Sequence, residues 1–321
     1  MSVIGRGVRF MLQKTWNSIG KKDQARLAAQ SPAPGVNVVR GVPYLDDGDE
    51  MHLLNLYIPQ NADGPLPTIV DIHGGGWMYG DKDLNRNFCM TLAAQGFAVM
   101  GMSYRLLPHT NLLGQLQDVF ASLHWLQAHG HEHHCDLARV FITGDSAGGH
   151  LGGLATCVQL SPALQRVYGV QPLGFDIRAL ALNHAVCELD KPNLVTGKMG
   201  DTLDREMRRM MFGAVPEAAP WYGKASFSET AKGLPLPPVL LVSSEADSLH
   251  GHSLLLQAWL QSHGARCQTK FWGLEGGEKL GHIFNIAYPQ WEESRETNDE
   301  MVAFFRRWEH SGGVEGSAPL F

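Results

Sequence analysis

In Gly144-Asp145-Ser146-Ala147-Gly148, a serine with a glycine two positions to either side follows the apolar run RVFIT and precedes a run of small residues. A serine hydroxyl is a weak nucleophile at neutral pH; it needs a general base within hydrogen-bond reach, and that base needs a carboxylate to orient it. Both lie downstream. Asp247 comes just past the apolar run PPVLLV, with Glu245 as a competing acid closer to its end, and His282 stands after CQTKFWG. The chain order Ser146, Asp247, His282 is that of nucleophile, acid and base where the serine occupies a sharp strand-to-helix turn.

The Gly-x-Ser-x-Gly pattern carries little alone, because 36 glycines and 17 serines in 321 residues give about 0.2 matches by independent placement. Its context carries more. In a tight strand-to-helix turn the positions two before and two after the serine lie close together, and glycine at both removes the clash. A helix starting at Ala147 points its positive end toward the serine oxygen. Upstream, DIHGGGWMYGD places a glycine run directly after the apolar segment TIVDI. Gly75 and Gly76 can turn bare N–H groups into a cleft, and Ala147 N–H completes a set of donors for a developing oxyanion.

The elements that must position these groups alternate in period. MHLLNLYIP, TIVDIH, FAVMGMSY, RVFITG, IRALALNH, PPVLLV and CQTKFWG read as strands. Between and after them, helical patterns cover residues 87–95, the stripe Leu112, Leu116, Val119, Phe120, Leu123 and Leu126, the segment GGHLGGLATCVQL, HSLLLQAWLQSHG and the closing EESRETNDEMVAFFRRW. Apolar strands alternating with helices imply an α/β fold with a mostly parallel sheet covered on both faces, its chemistry at the carboxyl ends of the strands. Residues 186–233 interrupt the alternation with a polar, partly helical segment, DTLDREMRRMMFG, and the pair Trp221 and Tyr222; an inserted cap over that edge is expected. The division expected is 1–46 as an N-terminal helical cap segment, with Val8, Met11, Leu12 and Trp16 near helical spacing, then 47–310 as the catalytic domain and 311–321 as a flexible tail.

Apolar residues make up 44 % and charged residues 18 %, with a formal net charge of −6 and no long basic run, which disfavours nucleic acid and suits a small uncharged substrate. The five scattered cysteines lack CxxC spacing and read as reduced thiols. Neither a signal peptide nor a membrane anchor is supported, so a cytoplasmic location is expected. Homo-oligomerisation is left open. His129, His131, His133 and His134 beside Cys135 resemble metal ligands in type, but their place before the serine-bearing strand favours an ordinary loop over a metal site.

The stretches HGGGW, SYRLLP, GDSAGGHL, EADSL and GHIFN resemble the hormone-sensitive-lipase-like group of α/β-hydrolase carboxylesterases, nearest to its acetyl-esterase and kynurenine-formamidase-like members, over about residues 53–308. The resemblance implies an α/β-hydrolase fold with Ser146 as nucleophile, Asp247 and His282 as its partners, and Gly75, Gly76 and Ala147 as oxyanion donors. A small ester is expected as substrate with no metal or organic cofactor, and Trp77, Ile283 and Met211 are expected to face it. Asp247-Ser248-Leu249 and His282-Ile283-Phe284 stand where many members have Asp-Pro-Leu and His-Gly-Phe, a departure that touches substrate more than mechanism. An arylformamidase with the same triad and a non-catalytic ligand receptor are the alternatives. Arg105 with Asp118, His73 beside the glycine run, and Asp145 beside the serine are expected to be structural. Met207, Met210, Met211 and Phe212 suit cap packing and an acyl-binding wall equally.

Overall fold

The apolar runs become eight strands of one sheet: β1 (Val36–Pro43), β2 (Leu53–Pro59), β3 (Leu66–Ile72), β4 (Ala98–Met102), β5 (Cys135–Asp145), β6 (Ile177–Asn183), β7 (Val239–Ser244) and β8 (Cys267–Trp272). The computed structural model describes residues 3–189 and 198–310. Strand order is β1-β2-β4-β3-β5-β6-β7-β8, antiparallel at β1–β2 and β2–β4 and parallel elsewhere. Parallel neighbours require crossovers, and helices supply them.

In chain order these helices are α1 (Val3–Ala29), α2 (Arg86–Ala94), α3 (Leu112–His129), α4 (Ser146–Gln159), α5 (Pro162–Tyr168), α6 (Lys198–Phe212), α7 (Phe227–Thr230), α8 (His250–Ser262), α9 (Phe284–Ala287) and α10 (Glu292–Arg307). Local chemistry sets several starts. The Asn111 side chain accepts from Gly114 N at 3.0 Å to cap α3, and Ser161 caps α5 ahead of Pro162 at its first turn.

Because successive strand side chains point to opposite faces, the sheet has two cores. Val70 and Ile72 of β3 pack with Ile142, Leu180, Leu116 and Leu151 on one side; Ile69 packs with Phe141, Phe88 and Phe305 on the other. Each such fully buried side chain stabilises the fold by about 1.5–3 kcal/mol. Among the described residues no helix is long and apolar enough to cross a membrane.

Three features refine the sequence reading. Val36–Pro43, inside the segment assigned to the N-terminal cap, is edge strand β1, and Pro162–Tyr168 is a helix that the pattern did not register. The N-terminal helix runs 27 residues and packs against α6 of the insertion. Within the expected insertion, 190–197 lie outside the described residues, as does the expected tail at 311–321. Within the remainder Phe227 N donates to Cys187 O at 2.8 Å, and His150 Nε2 of α4 ties the segment to the body by donating to Ala225 O at 2.8 Å.

Close packing of α4 on the sheet predicts unequal effects of adding one methyl. A Cβ on Gly148 would lie 1.9 Å from the Ile72 carbonyl oxygen, whereas one on Gly7 of α1 meets nothing within 4 Å. Thermal melts should therefore show Gly148→Ala destabilised by about 3 kcal/mol or more, or insoluble. Gly7→Ala should be neutral or up to about 1 kcal/mol more stable.

Candidate active site

β5 ends at Asp145 and α4 begins at Ser146, which holds φ at +51°. A non-glycine residue in the left-handed region is uncommon and is retained only where the surroundings over-determine it. Here Gly148 lets the turn press against the Ile72 and His73 carbonyls, and Gly144 avoids a Cβ 2.7 Å from the Gly148 carbonyl carbon. Ser146 is 9 % exposed and begins the helix, so its hydroxyl sits at the positive end of the α4 dipole.

The glycine loop after β3 is tied to this turn. Gly74 N donates to Asp145 Oδ1 at 3.0 Å, and Asn85 Nδ2 bridges Asp145 Oδ1 at 2.8 Å and Asp71 Oδ2 at 3.1 Å. His73 Nδ1 donates to Gly74 O at 2.7 Å, its ring stacks on Tyr104 with centroids 4.4 Å apart, and the Tyr104 hydroxyl donates to His73 O at 2.9 Å. Burial pushes His73 down to about 4, so the brace is a neutral imidazole. Gly75 and Gly76 take φ of +111° and +58°, and among the described residues neither N–H makes a hydrogen bond. Trp16 of α1 covers Gly76, and a Cβ there would lie 2.4 Å from its ring.

On the opposite flank, beyond the carboxyl end of β7, Asp247 is buried while His282 is 37 % exposed in its side chain. His282 Nδ1 lies 3.1 Å from each Asp247 oxygen, which fixes the proton on Nδ1 and leaves Nε2 as a bare acceptor. Burial opposes the Asp247 charge, but hydrogen bonds from His184 and His282 outweigh it and hold the carboxyl well below the usual range. The elbow and this pair lie past the carboxyl ends of β5 and β7, the two strands that flank β6 in the parallel part of the sheet. Glu245, the competing acid, is exposed.

Of the residues expected to face substrate, Trp77 and Met211 belong with Ala147 to one packed cluster, and Ile283 is half-buried at φ +55° directly after His282. Trp77 donates from its indole to His150 Nδ1 at 3.3 Å. Arg105 and Asp118 form a bidentate pair at 2.6–3.1 Å, with His52 on the same carboxylate at 3.3 Å. His129 and His133 lie over the Trp125 ring at 5.4 and 5.8 Å. The residue that sequence reasoning missed is His184, whose Nδ1 lies 2.7 Å from Asp247 Oδ2. Its one available signal was position: IRALALNH ends in a histidine at the edge of the sheet where the chemistry falls.

A mostly parallel sheet, a serine on a strand-to-helix elbow and a carboxylate–imidazole pair at the same edge define an α/β hydrolase. A family model described as alpha/beta hydrolase fold matches residues 69–276, and the chain belongs to that family. The solved structure of esterase B from Lactobacillus rhamnosis is 38 % identical, with a TM-score of 0.90 over 95 % of this chain and 96 % of that one. Among curated proteins, Lipase 2 of a Moraxella strain is 37 % identical over 91 residues, 28 % of this chain and 21 % of its own length. An acetyl esterase of Salmonella paratyphi B is 26 % identical over 218 residues, 68 % of this chain and 66 % of its own. The chain thus spans between a fifth and two thirds of these curated relatives.

The bracing network also predicts a pH effect on stability. Burial and the neighbouring Asp145 push Asp71 up to about 8, against bonds from Asn85 and Cys89. A carboxyl whose folded pKa exceeds its unfolded value binds a proton on folding, so its contribution is greatest in acid and is lost as pH climbs from about 4 to about 8. Asp71→Asn should remove that loss. Its melting temperature relative to wild type should rise steadily between pH 5 and 8; parallel curves would contradict the assignment.

Proposed function

We propose that the protein is a serine carboxylesterase that hydrolyses small, short-acyl esters through an acyl-enzyme intermediate. The observation that carries this reading is the Asp247–His282 pair, its imidazole Nδ1 3.1 Å from each carboxylate oxygen, in a fold whose elbow serine is held at φ +51°. In this account His282 Nε2 takes the Ser146 proton as Oγ attacks the ester carbonyl, and the carbonyl carbon becomes tetrahedral. Gly75, Gly76 and Ala147 donate N–H bonds to the oxygen that gains the charge. His282 returns the proton to the departing alkoxide, the alcohol leaves, and Ser146 is acylated. A water deprotonated by His282 then attacks the acyl carbon, and collapse of the second tetrahedral intermediate releases the acid and restores Ser146. Asp247 holds the imidazole tautomer and offsets the imidazolium charge throughout.

The small-acyl preference draws on the relatives. The esterase B structure has also been solved with a C4-C4 tributyrin phosphonate, and the Salmonella relative is an acetyl esterase. Trp77, Ile283 and Met211 are proposed to line the acyl side.

A p-nitrophenyl ester series from acetyl to dodecanoyl tests this. Activity should peak at acetyl to butyryl, and Ser146→Ala should lower kcat by about 10⁴-fold or more. A peak at long chains would refute the acyl preference. An alanine variant with wild-type turnover would remove Ser146 as nucleophile, and formanilide hydrolysed faster than any ester would favour the arylformamidase.

A further inference from the structure

His184 lies just past the end of β6, is completely buried, and holds φ at +50°. Its Nδ1 lies 2.7 Å from Asp247 Oδ2, shorter than either 3.1 Å contact from His282 Nδ1. Asp247 Oδ1 also accepts Leu249 N at 2.9 Å. One carboxylate therefore serves two imidazoles, and one nitrogen or oxygen atom from each of the three side chains lies within 4.8 Å of the other two. The two rings meet edge to face at 5.8 Å, and Phe284 closes His184 from another side at 5.6 Å. His184 Nε2 is buried without a hydrogen-bond partner among the described residues.

Asp247 is an acceptor, so His184 Nδ1 carries the proton. A second proton on Nε2 would be buried with no acceptor and would set a cation 5.8 Å from the His282 ring. Burial accordingly lowers the His184 pKa against the opposing pull of Asp247, and the ring stays neutral while His282 cycles.

We propose that His184 is a positioning residue of the hydrolytic site. Its Nδ1–H occupies Asp247 Oδ2, fixes the plane of the carboxylate toward His282, and draws on the same negative charge, thereby limiting how strongly His282 holds a proton. This rests on the esterase reading above, and it extends the serine–histidine–aspartate set to a fourth side chain. The charged and titratable groups that act on this cluster are Asp247, His250 and His252 from the β7–α8 region, Asp145 from the elbow, and the two imidazoles themselves.

Removing the donor leaves the full Asp247 charge to His282. A hydrogen bond to a charged group is worth about one to two pH units of proton affinity. In His184→Leu the acid limb of kcat/KM and the His282 ring titration followed by NMR should both move up by about one unit, with kcat/KM at pH 6 falling about 10-fold. In His184→Asn, whose side-chain N–H sits near the place of Nδ1 and whose residue type tolerates positive φ, the limb should return to within about 0.3 unit of wild type. If the leucine variant fails to fold, His184→Gly, unstrained at this φ, takes its place. An unmoved limb and NMR titration in the folded donorless variant would overturn the proposal, as would identical shifts in the asparagine and donorless variants. The NMR titration needs no turnover, so it judges His184 independently of whether Ser146→Ala and His282→Ala abolish ester hydrolysis; wild-type turnover in those two would overturn the esterase reading instead.

Discussion

Everything at this site depends on how closely the turn after β5 approaches the end of β3. Two constraints set that distance: the missing side chain of Gly148 against the Ile72 carbonyl, and the hydrogen bond from Gly74 N to Asp145 Oδ1. Together they accompany Ser146 in the left-handed region and tie the glycine loop to the elbow. Buried backbone at such a contact tolerates little movement, because protein interiors are packed as tightly as organic crystals. The Asn85 bridge and the His73–Tyr104 stack then fix the loop from behind within a buried layer.

The carboxylates of that layer are pushed in opposite directions by their surroundings. Asp71, facing another carboxyl with one amide and one thiol as donors, is driven up toward neutrality. Asp247 has two imidazole N–H groups and a backbone amide, and it keeps its charge although it too is buried. Separating acids by environment in this way is how one fold keeps a structural carboxyl neutral and an orienting one ionised at the same pH. His184 is the less ordinary part, since it gives Asp247 a second ring to satisfy and joins the end of β6 to a site otherwise built from β3, β5, β7 and the His282 loop.

Much of this is legible in the sequence. Apolar runs separated by helical stripes specified the sheet and its covering helices, because a parallel strand buried on both faces leaves a continuous apolar signature. β1 escaped notice because VNVVRGVP is an edge strand, exposed along most of its length and interrupted by glycine. Ser146, the glycine loop and the downstream acid and histidine were visible because turn chemistry and strand ends constrain residue type at short range. His184 was not, since nothing local to ALALNH distinguishes a histidine that meets Asp247 across 63 positions of sequence from one at the surface. The pairing is a product of strand order, with β6 and β7 neighbours in the sheet. The insertion is legible as an interruption of the alternation, yet the contact of α6 with the long N-terminal helix is tertiary and leaves no periodic trace.

The central claim is that Ser146 is the atom donor to an acyl-enzyme, activated by His282 and Asp247. The most direct measurement is incubation with a short-chain p-nitrophenyl phosphonate, followed by intact mass and peptide mapping. The account predicts one phosphonyl group per chain, attached to Ser146, formed in step with loss of activity and absent from Ser146→Ala. A stoichiometric adduct on any other residue, or complete inactivation without modification of Ser146, would contradict it.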